Sequence, residues 1–217
     1  MALAGKNALI KIASPSATTV AGGAMTANSS LEYEVTTAAQ RHWDIDIPPA
    51  VYENSTLTTQ TYDVNYVQGI ITFPAGSTVT TPVTADYSYV TAATVAGGRE
   101  WSLDVGTDLF EVSEFSSSTG TKGWKQYVPN VNGATVTVNR YWSDLAGGST
   151  GPQFIDHIIA ESKLITELWV DGSTGTPSGK YEGYAYVTSD QVGAAVDSIV
   201  GESVELTING QLYYSTG

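Results

Sequence analysis

Between Gly97 and Trp142 the chain alternates apolar and polar residues, and that alternation leaves few folds open to it. Trp101, Leu103 and Val105 fall on one side of an extended backbone, and Ser102 and Asp104 on the other. Val136 and Val138 alternate in the same way with Thr135, Thr137 and Asn139, in a run rich in β-branched residues. Between the runs lies a Ser/Thr/Gly-rich loop, 116–123. The pattern predicts a long antiparallel pair with one apolar face, one wet acidic face and a loop at its tip. Asp104, Asp108, Glu111 and Glu114 follow one another with no Lys or Arg between them. Strict alternation from Trp101 puts Asp104, Asp108 and Glu114 on the wet side and Glu111 off it, unless a bulge at Gly106 shifts the register.

The rest of the chain carries similar signals. Residues 31–35, 43–47 and 83–89 alternate, and shorter apolar runs at 8–12, 164–170, 181–188 and 202–208 read as further strands. Gly22-Gly23 predicts a turn in the small-residue segment 16–28. Gln68-Gly69 predicts a tight hairpin, and Asn209-Gly210 another that returns through Gln211 to Tyr214. A single helical stripe, Phe154, Ile155, Ile158 and Ile159, predicts an α-helix over 152–162 with Pro152 in its first turn. The expected fold is mainly β: an antiparallel sandwich or barrel with one main helix. Residues 1–217 read as one domain, with a β insertion or lobe at 48–93 and a small-residue junction at 91–98.

Composition narrows the function. Of the 217 residues, 41% are hydrophobic, enough for one good core, while 14% are charged, against about 25% in an ordinary domain. A net charge of −13 excludes wrapping duplex DNA by neutralising its phosphates. There is no cysteine, which removes disulfides, thiol nucleophiles and thiolate metal sites. The start of the chain does not read as a signal peptide, and no apolar run has the length of a membrane span. His42 and His157 lack metal-ligand spacing and read as ordinary side chains, and Asp44 and Asp46 read as a solvated strand face rather than a glycosidase pair. Residues 175–180 lack the spacing of a phosphate loop, and no Gly-x-Ser-x-Gly elbow occurs. The expectation is a protein without enzymatic activity, cofactor or metal. The aromatic content leaves a competing reading, a carbohydrate-binding β-sandwich module of a fibre or capsid-decoration protein.

Several stretches resemble the major tail (tail tube) proteins of long-tailed bacteriophages. They are Arg99-Glu-Trp-Ser-Leu-Asp-Val, Phe110-Glu-Val-Ser-Glu-Phe, Gly123-Trp-Lys-Gln-Tyr-Val-Pro and the run from Tyr181 to Ser189, followed by Val196 to Gly210 and the opening Gly5-Lys-Asn-Ala-Leu-Ile. The likeness covers residues 1–12 and 95–214; the Thr/Tyr-rich middle departs from it. The resemblance implies a structural virion protein that forms hexameric rings, with strands paired edge to edge into an inner barrel. The rings would stack into a tube through which double-stranded DNA passes during ejection without specific binding. The partners implied are further copies of the chain and the tape measure, tail terminator and tail tip proteins, with no membrane partner. The implied location is the phage tail, assembled in the host cytoplasm. On this reading Asp104, Asp108, Glu114 and, last, Glu111 face the lumen and repel phosphates; the competing role is pairing with Arg99, Arg140 or Lys125 of a neighbour. Ser116, Ser117, Ser118, Thr119, Gly120, Thr121 and Lys122 form the candidate ring-stacking loop, and the 48–93 lobe faces outward.

Overall fold

A computed structural model describes residues 9–13, 17–95, 98–111, 127–141, 154–171, 178–193 and 200–215. The chain opens with β1 (Leu9–Ala13). It continues through β2 (Thr18–Ala27), β3 (Glu32–Val35), one 3₁₀ turn (Ala38–Gln40), β4 (Ala50–Glu53), β5 (Thr56–Leu57), β6 (Asp63–Asn65), β7 (Ile70–Thr72) and β8 (Val83–Tyr89). After β9 (Ala92–Thr94) come the long strands β10 (Gly98–Glu111) and β11 (Tyr127–Tyr141), then the short helix α1 (Phe154–Ile159). The remaining strands are β12 (Lys163–Asp171), β13 (Ser178–Gly193), β14 (Gly201–Ile208) and β15 (Tyr213–Ser215). The strand pairings are antiparallel. The fold is therefore the mainly antiparallel β class that the alternation predicts, with one α-helix among the described residues.

Two sheets result. The larger has eight strands in the order β10-β11-β14-β13-β12-β1-β9, with β15 also on β13; the smaller has seven, in the order β5-β4-β8-β2-β3-β7-β6. The larger sheet folds back on itself. Ile10 and Ile12 of β1 share a core with Val136 and Val138 of β11, Leu206 of β14 and Phe154 of α1, and Trp101 and Leu103 of β10 pack against it. Arg140 holds the helix in place: its Nη2 donates to Glu202 Oε1 at 2.8 Å and its guanidinium lies 4.6 Å from the Phe154 ring.

The smaller sheet encloses its own core, built on Tyr33, Trp43, Val51, Ile71, Phe73 and Tyr87. Trp43 and Tyr87 stack with ring centroids 4.7 Å apart, the offset geometry that aromatic quadrupoles favour. Val67 and Val90 then pack against Ile165 and Tyr184 of the larger sheet and join the two. This sheet begins at Thr18, so the chain commits to it well before residue 48. Both connections to it leave from neighbouring strands, since Ala13 of β1 pairs with Ala92 of β9. β9 itself falls in the stretch that reads as a flexible junction.

Four local expectations change. Gly22-Gly23 lie inside the strand Thr18–Ala27 rather than at a turn; its register on β8 slips between Val20 and Gly23, where Gly22 takes φ +63°. Gly23 has no room for a side chain, because a Cβ there would lie 2.4 Å from Tyr87 Cε1. Residues 43–47 make one bridge, Trp43 to Tyr89, and then turn. Asp44 Oδ1 accepts the Asp46 N–H at 3.0 Å, and the Ile47 N–H returns to the Asp44 carbonyl, a local bond that competes with a ladder. Asn209-Gly210 does not make a hairpin: β14 and β15 both pair antiparallel with β13, so the chain bulges out and resumes the same direction. Finally, α1 ends at Ile159, short of the predicted 162, and Pro152 lies outside the described residues.

Two outcomes follow from this arrangement. Trp43→Ala removes a fully buried ring and is expected to cost about 3–5 kcal/mol, read by chemical denaturation. Replacing residues 14–91 by a short turn should leave the larger sheet folded with a cooperative thermal transition at lower temperature. Loss of cooperativity in circular dichroism would show that the smaller sheet is needed for the core.

Candidate functional site

The β10–β11 pair is the most exposed part of the described molecule. β14 covers β11 only from Thr135 to Tyr141, and the outer edge of β10 carries no partner strand among the described residues. Beyond Asp104 the two strands run on as a ribbon. Val105, Leu109, Val128 and Val131 stand open on it, and Phe110 is 60% exposed. Apolar side chains lie on both faces, because Leu109 and Phe110 are consecutive in an extended strand. A two-stranded ribbon without a covered face is marginal in water, and open edges invite another strand.

The register settles which acidic residues share a face. Thr107 pairs with Asn132 and Leu109 with Pro129, so the extra residue of the bulge belongs to β11 and not to Gly106. Alternation along β10 is unbroken from Glu100 onward, which puts Asp104 and Asp108 on one face and Glu111 on the other. Asp104 heads a cross-strand row with Thr135, Thr207, Tyr186 and Lys163, and Glu100 and Glu205 lie on the same polar face. Glu114, the loop from Ser116 to Lys122, and Lys125 lie outside the described residues. Of the cations that could meet these carboxylates, Arg140 is engaged by Glu202, and Arg99 lies 4.6 Å from the Tyr141 ring.

A second constellation lies between the two sheets. Glu167, buried on β12, accepts from His42 Nε2 at 2.8 Å, Lys180 Nζ at 2.9 Å and Trp169 Nε1 at 2.9 Å, with Lys11 Nζ at 3.5 Å. His42 Nδ1 is 2.7 Å from the Val67 carbonyl. Lys180 also pairs with Glu182, to which Gln68 Nε2 donates at 3.3 Å. Burial pushes the Glu167 carboxyl up, but the His42 hydrogen bond, the charge and hydrogen bond of Lys180 and the Trp169 N–H together hold it far below the usual carboxylate range. Lys180 is also buried, which disfavours its charge, yet Glu182 and Glu167 keep its ammonium above the ordinary lysine value. His42, Glu167 and Glu182 offer ligand atoms within 4.8 Å of one another. The Lys180 ammonium bonds both carboxylates, so the cluster is a satisfied ionic junction rather than an open cation site.

His42 is thus a structural tie between sheets. His157 is buried as well, 2.9 Å from Ser162 Oγ, and burial lowers its pKa against the opposing charge of Asp156. The sequence carried one sign of the junction, a Glu in the middle of the apolar run 164–170.

No protein-family model matches this chain, and no curated protein sequence does. Among solved structures it is similar to a chain in the tail of an empty gene transfer agent particle refined with C6 symmetry. The identity is 13%, the match covers 58% of this chain and 87% of that one, and the TM-score is 0.47. It is similar to a chain of the native gene transfer agent virion at 13% identity, over 58% and 89% of the two chains, with a TM-score of 0.46. A chain of the anti-feeding prophage baseplate is 10% identical over 58% and 84%, with a TM-score of 0.38.

The ionic junction sets a pH dependence. The folded-state pKa of Glu167 lies below its unfolded value, so its stabilisation is complete above about pH 4.3 and drains away as the pH falls, when the unfolded chain binds a proton that the folded one refuses. Glu167→Gln should flatten that acid slope relative to the parent chain. It should also cost about 1.5–3 kcal/mol at neutral pH by removing charged hydrogen bonds from Lys180, which keeps Glu182 as a partner. Denaturant titrations of both proteins between neutral and acid pH measure the difference.

Proposed function

We propose that this chain is a structural subunit of a phage-type tail that polymerises through its sheet edges into rings, which stack into a tube. One observation carries the reading: the edge of β10, which has no partner strand among the described residues, continued by a ribbon that exposes apolar side chains on both faces. A neighbouring copy that adds a strand to this edge supplies the missing hydrogen bonds and covers Leu109 and Phe110. Six-fold rings, contacts with other tail proteins and DNA passage belong to the same proposal, as does a role without catalysis. The sequence resemblance at Arg99–Val105 and along β11, β13 and β14 supports it.

In such a ring the polar face carrying Asp104 and Asp108 would line the channel. Carboxylates there keep phosphates from bonding to the wall, over a range of about 8 Å at physiological salt. Threonines such as Thr135 and Thr207 add no positive charge to that face.

Negative-stain micrographs of the purified protein should contain rings or tubes. Leu109→Asp with Phe110→Asp should leave a folded monomer by circular dichroism and sedimentation. A parent chain that stays monomeric at high concentration, or a double variant that assembles normally, overturns the proposal. Asp104→Lys with Asp108→Lys should preserve tubes and slow DNA ejection. Failure of that variant to form rings would assign the two carboxylates to an interface between copies.

A further inference from the structure

Asn209-Gly210 carries a hairpin signature that the fold does not use, and the bulge between β14 and β15 leaves the pair exposed. The Asn209 N–H donates to the Tyr184 carbonyl at 2.7 Å, which pins the backbone at the end of β14. The Asn209 side-chain amide makes no hydrogen bond among the described residues, and neither does the Gly210 N–H. Gly210 takes φ +92°, and no atom lies within 4 Å of the place where a Cβ would stand. The side-chain carbonyl carbon of an asparagine is an electrophile, and the backbone nitrogen of the next residue is the nucleophile nearest to it. A glycine in that next position offers its nitrogen without steric cover.

The other Asn-Gly pair of the chain, Asn132-Gly133, supplies an internal contrast. Its sequence setting is alike: Asn132 follows the β-branched Val131 as Asn209 follows the β-branched Ile208. Its structural setting is not. Asn132 and Gly133 stand in the β10–β11 ladder opposite Thr107 and Gly106, and the Thr107 hydroxyl donates to Asn132 Oδ1 at 2.6 Å. That pair must leave the ladder before its side chain and backbone can meet, whereas Asn209 and Gly210 stand outside any ladder.

We propose that Asn209 is a self-modification site, deamidated in the folded protein by the Gly210 backbone nitrogen, and that its isoaspartate product loosens β15. A bond forms from that nitrogen to Asn209 Cγ, the bond from Cγ to the amide nitrogen breaks, and the departing ammonia carries away the proton that the Gly210 nitrogen loses. Water then opens the resulting succinimide at either carbonyl, to aspartate or to isoaspartate. Both products add a carboxylate. The isoaspartate also routes the main chain through the former side chain and lengthens it by a methylene. Anchors on both sides restrict where that length can go. Asn209 is tied to Tyr184, while Leu212 packs against the larger core and Tyr213 to Ser215 pair with β13. β15 is the weaker anchor, because it is only three residues long. The inference does not depend on the tube reading.

Incubation of the full chain at mildly alkaline pH tests the proposal, with amide-to-acid conversion followed by peptide mass mapping and isoaspartate by isoaspartyl methyltransferase labelling. Conversion at Asn209 should outpace that at Asn132 by about tenfold or more in the folded protein. In guanidinium chloride the two should react at comparable rates, which assigns the contrast to the fold. Asn209→Gln keeps the amide, but its longer side chain forms a cyclic imide far more slowly, so this variant should stay unconverted at position 209. Amide hydrogen exchange at Tyr213 and Tyr214 should quicken in the aged parent and not in the aged variant. Four results would each overturn the proposal: no conversion at Asn209, conversion at Asn132 that is as fast in the folded chain, a contrast between the two sites undiminished in guanidinium chloride, or β15 exchange that is the same in the aged parent and the aged variant.

Discussion

Ile10 and Ile12 meet Val136, Val138 and Leu206 in one core although β1 and β11 stand far apart in the sheet order. Burial of these side chains, each worth about 1.5–3 kcal/mol, bends a single sheet into two layers. Other features depend on that bend. Because the apolar side chains all turn inward, the opposite face of the same sheet looks out from both layers. On the β12–β13 side it receives the smaller sheet through Ile165 and Tyr184. On the β10–β11 side it presents Asp104, Asp108 and Thr135. Docking and the acidic surface therefore use one face of one sheet without competing for space.

The two joints between the sheets differ in kind. Val67, Val90, Ile165 and Tyr184 make a small apolar patch that fixes no orientation by itself. The Glu167 cluster is directional, since each donor around that carboxylate has a defined place. Buried ionic groups add little net stability against an apolar substitute, but they penalise misalignment strongly. The smaller sheet is thus held by modest apolar burial and aligned by charge.

Sequence periodicity was informative wherever the deciding contacts are local. Trp101 to Asp104 and Val136 to Asn139 alternate in the structure as they do on paper, because each strand has one face on the core there; Val105 lies beyond that core and is exposed. The register beyond Gly106 was only partly legible. Glycine suggested a bulge on β10, but the extra residue lies on β11 near Pro129, which has no N–H to give to a ladder. Asn209-Gly210 carries a strong hairpin signal, and β13 overrides it by continuing past the end of β14 and taking β15 as well. Alternation at 43–47 gave way to the side chain of Asp44, which bonds its own turn. The ionic junction was the least legible, because His42 and Glu167 meet across 125 positions of sequence.

The pairing of β1 with β9 has a consequence for the order of events in folding. Bringing Ala13 beside Ala92 in an unfolded chain closes a long loop, at an entropic cost that rises with the logarithm of its length. Once the smaller sheet has formed, the same two ends already stand close together, and the closure becomes nearly local. A smaller sheet that folded first would therefore act as a clamp that holds β1 beside β9.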